Sequence, residues 1–340
     1  VDGRLVAVPP FEREEAPSQI IQSIPAAVYD ASRVAEPMVR RGWLEHGPGG
    51  DRQLRGADGF VPVSWDRALD LVAAEVKRVK TRHGNASIMG GSYGWSSAGR
   101  FHHARTQLHR FLNGYGGYTA QVQNYSYAAA ISLLPHIIGT LEPVQGPLSS
   151  WDGIAKHTTL MVCFGGIPMK NTQVDSGGVG EHSAEPWLRR CKAAGVHFVN
   201  IGPLREDCAD FLDAEWIAAF MLALAHTLVA EGLHDSEFLA RYTVGFEHFL
   251  RYLMGETDGQ PKSCEWAAAI CRVEAETIRS LARRMAHSRT MIGMAWSLQR
   301  GDHGEQPYWM TVTLAAMLGQ IGLPGGGFGF GYGCEAQMGA

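Results

Sequence analysis

The stretch TTLMVCFGG, residues 158–166, decides the fold. It is a short apolar run, Leu160 to Phe164, stopped by Gly165-Gly166, which is the pattern of a strand buried on both faces of a sheet. After a polar loop, Pro186 opens the helical segment PWLRRCKAAG, closed by Gly195, and VHFVNIG at 196–202 reads as a second strand. Strand, crossover helix and parallel strand make a βαβ unit, whose ligands gather at the carboxyl ends of the strands. The predicted fold class is therefore α/β with a parallel sheet.

The same grammar extends in both directions. Upstream, Ser64 is placed to cap a helix carrying the stripe Leu69, Val72, Val76 and Val79, ended by Gly84. The run Ala86 to Met89 then leads into the glycine loop GGSYGWSSAG (90–99) and a helical pattern through Arg110-Phe111-Leu112. Residues 1–60 are rich in Pro, Gly and charge, and predict an irregular region poor in strands. Downstream, about 206–290 reads as mostly helical, with an apolar helix at 217–230 and another in RVEAETIRSLARRMAH. TMIGMAW returns to a strand and delivers Trp296-Ser297-Leu298-Gln299-Arg300 at its end, and the glycine-dense LPGGGFGFGYG is expected to lay its backbone close to something large.

Composition excludes several classes of function. A chain of 340 residues with 45% hydrophobic content supports a large core and about two domains. With 30 basic against 34 acidic residues and no Lys/Arg-dense segment, nucleic acid is not an expected partner. The longest apolar stretches, such as IAAFMLALAHTLVA, are too short for membrane insertion. The six cysteines contain no C-x-x-C pair, which argues against a zinc ribbon or a locally ligated iron–sulfur cluster and for reduced, buried thiols. The chain begins Val-Asp-Gly-Arg with no signal-peptide pattern, so it is expected to have been processed or cut from something longer, in a cytoplasmic or periplasmic setting with the cytoplasm favoured.

Taken by residue type, the candidate sites leave alternatives open. GGSYGWSSAG lacks the spacing of a P-loop or of G-x-G-x-x-G, and Tyr93 and Trp95 on it either pack a core or line a pocket. His102, His103 and His109 lack a carboxylate or Cys at ligand spacing. Ser126 in NYSYAAAISLL is not a G-x-S-x-G elbow, and its plain reading is a helix N-cap. Lys170, Arg205 and Arg300 each follow a predicted strand end, where a parallel sheet would present them to an anion. The residues alone thus describe an α/β chain that binds a large phosphorylated ligand.

The strings GGSYGWSSAGRFHHARTQLHRFLN, NYSYAAAISLLPHIIGTLE and GMAWSLQRGDHGEQPYWMTVTLAAMLGQIGLPGGGFGFGYG add a likeness that spacing does not supply. Across its whole length the chain resembles the dimethyl sulfoxide reductase family of molybdopterin oxidoreductases, and within it looks most like biotin sulfoxide and trimethylamine N-oxide reductases. The resemblance implies the N-terminal portion of a multidomain architecture with Rossmann-like parallel-sheet domains, helices on both faces. It divides the chain into an irregular region at 1–45, an α/β domain at 46–140 that carries the metal-ligand serine, and a cofactor-binding α/β domain at 141–340. It further implies a bis(molybdopterin guanine dinucleotide) cofactor, with Ser126 as the protein ligand to molybdenum, a hard oxygen donor beside soft dithiolene sulfurs.

By the same likeness, Tyr93 matches a phenol that donates to oxygen at the metal, and Trp95 an indole that covers the pocket. Lys170, Asn171, Ile201 and Gly202 match cofactor-contacting positions, and Trp296, Ser297 and Arg300 match positions along the pterin and substrate channel. The implied activity is reduction of an S-oxide or N-oxide (biotin sulfoxide, methionine sulfoxide, dimethyl sulfoxide or trimethylamine N-oxide), with electrons from a separate protein and no iron–sulfur cluster. Two departures stand against the family pattern: Ala218-Ala219-Phe220 follows Ile217 where the family has a guanine-contacting strip, and family members continue beyond the position of Ala340. A truncated or degenerate cofactor-binding module without catalysis of its own is the alternative expectation.

Overall fold

The computed structural model describes the chain except for residues 51, 93–96, 98–100, 147, 176–177, 204, 206–209, 214–216, 336–338 and 340, with backbone alone at 145 and 210–213. The chain forms two compact units, Val1–Phe11 with Gln19–Val122, and Glu12–Ser18 with Gln123–Ala340.

In the first unit, β1 (Met38–Arg40) pairs antiparallel with β2 (Phe60–Pro62). Helix α1 (Trp65–His83) starts where expected, because Ser64 Oγ accepts the Arg67 N–H at 3.2 Å. It stops at Gly84, whose φ of +78° suits a residue without Cβ. Val76 and Val79 are half-buried as the stripe predicts, whereas Leu69 and Val72 stay exposed. The next strand, β3 (Met89–Gly90), pairs in parallel with β4 (Thr119–Ala120), and α2 (Ala104–Gly114) lies between them in sequence. Gly90 is required there: a Cβ would sit 2.1 Å from Leu112 of the crossing helix. Tyr93 and Trp95, on the loop joining β3 to α2, lie outside the described residues.

The second unit is built on five parallel strands, β5 (Leu160–Phe164), β6 (His197–Gly202), β7 (Asp210–Asp213), β8 (Thr290–Met294) and β9 (Gly327–Phe330), in the order β7-β6-β5-β8-β9. The period-2 alternation sends Leu160, Val162 and Phe164 to one face and Met161 and Cys163 to the other. Both faces are covered, which is why β5 reads as continuous apolar sequence. The first face packs under α3 (Ala128–Ile137), α6 (Ile217–Ala230), α7 (Cys264–Cys271), α8 (Ala275–Ala286) and α9 (Glu305–Met317). The second packs under α4 (Trp151–His157), α5 (Ala184–Ala193) and Tyr332. Fully buried side chains such as Phe164, Phe220 and Trp151 contribute about 1.5–3 kcal/mol each.

The stretch from about 206 to 290 is mostly helical, as expected, with residues 210–213 added as the edge strand β7 beside β6. The glycine-dense tail is itself a strand, and the large neighbour is Tyr332: a Cβ on Gly329 would lie 2.7 Å from its ring. Packing also sets the Ser126 turn and α3 in the sheet unit, because Ala130 and Leu134 of α3 are buried in the same core as α9.

Candidate functional site

The chain runs from β5 outward to β6 and β7, then returns to lay β8 and β9 on the other side of β5. Strand order reverses between β5 and β8, and in a parallel sheet the crevice at their carboxyl ends is where ligands bind. Gly165 makes this crevice possible: its φ is +85°, and a Cβ would approach that of Ala295 to 2.8 Å. Ile201 and Gly202 end β6 beside it, with Gly165 N–H donating to the Ile201 carbonyl at 2.8 Å. Segment Met169–Gln173, one 3-10 turn carrying Lys170 and Asn171, follows β5 on the same edge. Arg205, past the end of β6, is exposed.

After β8 comes the 3-10 turn Trp296–Arg300, which anchors the serine. Gln299 Nε2 donates to the Tyr125 carbonyl at 2.7 Å, and its Oε1 accepts the Ala129 N–H at 2.8 Å. Arg300 Nε reaches the same carbonyl at 3.2 Å. The Tyr127 ring lies 4.7 Å from that of Trp296, tilted by 58°. Ser126 is therefore fastened on both sides to the end of β8. Its hydroxyl does not cap α3. Asn124 Oδ1 instead closes the turn ahead of the helix, accepting the N–H groups of Ser126 and Tyr127 at 2.9 Å each, while the first-turn N–H of Ala129 goes to Gln299. Ser126 is half-buried, and among the described residues nothing hydrogen-bonds its hydroxyl.

Two buried donors lie after β8, on the turn that holds Ser126 and on the helix that follows it. Trp296 Nε1 and the Tyr308 hydroxyl, in residues 5% and 0% exposed, have no hydrogen-bond partner among the described residues. An unmade hydrogen bond at such a position costs about 1–3 kcal/mol, so both atoms fit a ligand that brings acceptors. Burial drives the Tyr308 phenol far above its ordinary range, with the Cys334 thiol and Tyr127 reinforcing and Arg300 opposing, so it stays a neutral donor. Burial pushes the Cys334 thiol up to about 12; its sulfur accepts the Trp296 backbone N–H at 3.4 Å. Glu335 is pushed up to about 7, first by burial and then by the negative charge of Asp175.

The sequence-derived candidates Ser126, Ile201, Gly202, Trp296, Ser297, Arg300, Lys170 and Asn171 thus share one edge of one unit. His102, His103 and His109 do not assemble with other ligands. Among the described residues no three His, Cys, Asp or Glu side chains gather as a metal cluster, and His109 instead stacks on Tyr118 at 5.3 Å. Asn124, Gln299 and Tyr308 were not singled out by sequence, although Gln299 lies inside the Trp-Ser-Leu-Gln-Arg stretch that was.

Comparison with known proteins identifies the chain's relatives. The sequence pattern of the molybdopterin oxidoreductase family matches residues 33–340. A biotin sulfoxide reductase of Cereibacter sphaeroides is 47% identical over 98% of this chain and 46% of its own length. A dimethyl sulfoxide/trimethylamine N-oxide reductase of Rhodobacter capsulatus is 47% identical over 97% of the chain and 41% of its own, and a trimethylamine-N-oxide reductase of Haemophilus influenzae is 42% identical over the same shares. The chain spans less than half the length of these relatives.

Proposed function

The chain belongs to the molybdopterin oxidoreductase family, and from that premise we propose that it forms part of a molybdenum enzyme reducing an S-oxide or N-oxide. The candidate substrates are biotin sulfoxide, methionine sulfoxide, dimethyl sulfoxide and trimethylamine N-oxide. The observation that carries the reading is the Ser126 turn clamped by Gln299 to the carboxyl end of β8. When bound, the molybdenum–pterin group supplies a two-electron couple able to take an oxygen atom from such a substrate.

This chain's own residues bind and orient. The uncapped hydroxyl of Ser126 offers molybdenum a hard oxygen donor, the type suited to a high-valent metal. Trp296 and Tyr308 offer N–H and O–H groups to pterin acceptors, which would make two bonds their burial leaves unmade. Lys170 and Arg300 suit the pyrophosphates of a bis(molybdopterin guanine dinucleotide) form, with Asn171, Ile201, Gly202 and Ser297 lining the same edge. Tyr93 and Trp95 complete the proposal as the phenol and indole over the substrate. Electrons would come from a separate protein. Among the described residues no helix is long and apolar enough to cross a membrane.

Ser126→Ala in the full-length protein tests the ligand assignment. We expect pterin retained, the metal's visible spectrum altered, and oxide reduction lowered by at least tenfold. Folding stability should move by no more than about 0.5 kcal/mol, since among the described residues nothing hydrogen-bonds the side chain. An unchanged spectrum with unchanged reduction would remove Ser126 from the site.

A further inference from the structure

The strap Glu12–Ser18 packs with the sheet unit, and two carboxylates hold it. Glu15 meets Arg190 of α5 at 2.6 Å on the surface, a pair worth little. Glu14 is placed differently. Its Oε1 accepts the backbone N–H of His182 at 2.7 Å and also engages the ring Nδ1, with both side chains largely buried. The other ring nitrogen, Nε2, faces the backbone carbonyl of Gln173 at 3.2 Å.

A carboxylate and a carbonyl can only accept. Both contacts are hydrogen bonds at once when both ring nitrogens carry hydrogen, the arrangement the imidazolium form provides. On losing a proton, the ring keeps Nδ1–H against the carboxylate, and the Nε2 lone pair then faces the Gln173 oxygen. Release therefore acts on Gln173, not on the strap.

Gln173 closes the turn Met169–Gln173, braced internally by Thr172 Oγ1 donating to the Met169 carbonyl at 2.8 Å. We propose that Glu14 and His182 are positioning residues: protonated His182 latches this turn to the strap, so that the placement of Lys170 and Asn171 depends on one imidazole proton. This rests on the reading of those two residues as cofactor contacts. The other charged groups on the adjoining elements are Glu12, Arg13 and Glu15 on the strap, Glu181 beside the ring, Lys170 and Asp175 on or after the turn, and Glu185 and Arg190 on α5.

Amide hydrogen exchange of the chain without cofactor, expressed as protection factors across the histidine titration range, tests the latch. In the wild type, protection of 169–173 should fall about 5- to 10-fold as pH rises, the size expected for one hydrogen bond. Glu14→Gln should lower it throughout and flatten the pH dependence, leaving β5 and β8 protected. Protection of 169–173 that is independent of pH in the wild type overturns the proposal. Imidazole nitrogen NMR of the wild type gives a check free of mutation: a neutral His182 ring at a pH where the turn is protected also overturns it. A latch that titrates as described, with pterin retention unchanged in Glu14→Gln, would instead refute Lys170 and Asn171 as cofactor contacts.

Discussion

The Tyr308 ring packs on that of Phe330, centroids 4.8 Å apart, and its buried hydroxyl has no partner among the described residues. Tyr308→Phe should therefore leave the cofactor-free protein unchanged or stabilise it by up to about 1 kcal/mol, while reducing the gain in melting temperature on loading the pterin. Thermal unfolding of both forms reads the difference; an equal loss in each would identify a buried water as the partner. Glu335 sets a pH dependence of known sign. Its folded value of about 7 exceeds the ordinary 4.5, so the folded state holds the extra proton between those limits. Its contribution is complete below about pH 4.5 and is lost as pH rises through about 7, a decline that Glu335→Gln should remove from a series of urea titrations. At this scale the sequence was legible in chemical type more than in role. Ser126 looked like an N-cap because serine commonly is one, yet the helix begins at Ala128 and its Ala129 N–H is taken by Gln299, distant in sequence.

Among the elements, the exit of β5 beside the end of β8 depends on Gly165. Alanine there would combine a left-handed φ with a 2.8 Å approach to the Ala295 methyl, so Gly165→Ala should cost on the order of 2–4 kcal/mol in denaturant titration. The elements that were readable are those whose apolar pattern stands alone. β5, β6, β8 and α6 are buried by their own composition, and α1 announces itself through Ser64 and Gly84. β7 and β9 were hidden because an edge strand has one neighbour: in β9, Phe328 and Phe330 alternate with glycines that carry little strand signal, and Gly329 is left bare where the Tyr332 ring packs. The clustering of Lys170, Trp296 and Arg300 was legible for a general reason, since a parallel sheet puts every strand's exit on one edge.

Across the whole molecule, burial is uneven. Of the fully buried apolar side chains among the described residues, Leu112 alone belongs to the first unit, and the rest lie at or beyond Ala130. Amide exchange should show it: β5, β6 and β8 exchanging only through global unfolding, and α1 through local openings of much lower free energy. Equal protection in α1 and β5 would contradict this partition. The site draws on the stable part, for Ser126 is fixed by its neighbours' main chain and by Gln299, never by its own side chain. Such a turn is a socket indifferent to its occupant, so under the proposed ligation the hardness of the donor at position 126 could be exchanged, oxygen for sulfur or carboxylate, with the mounting left undisturbed.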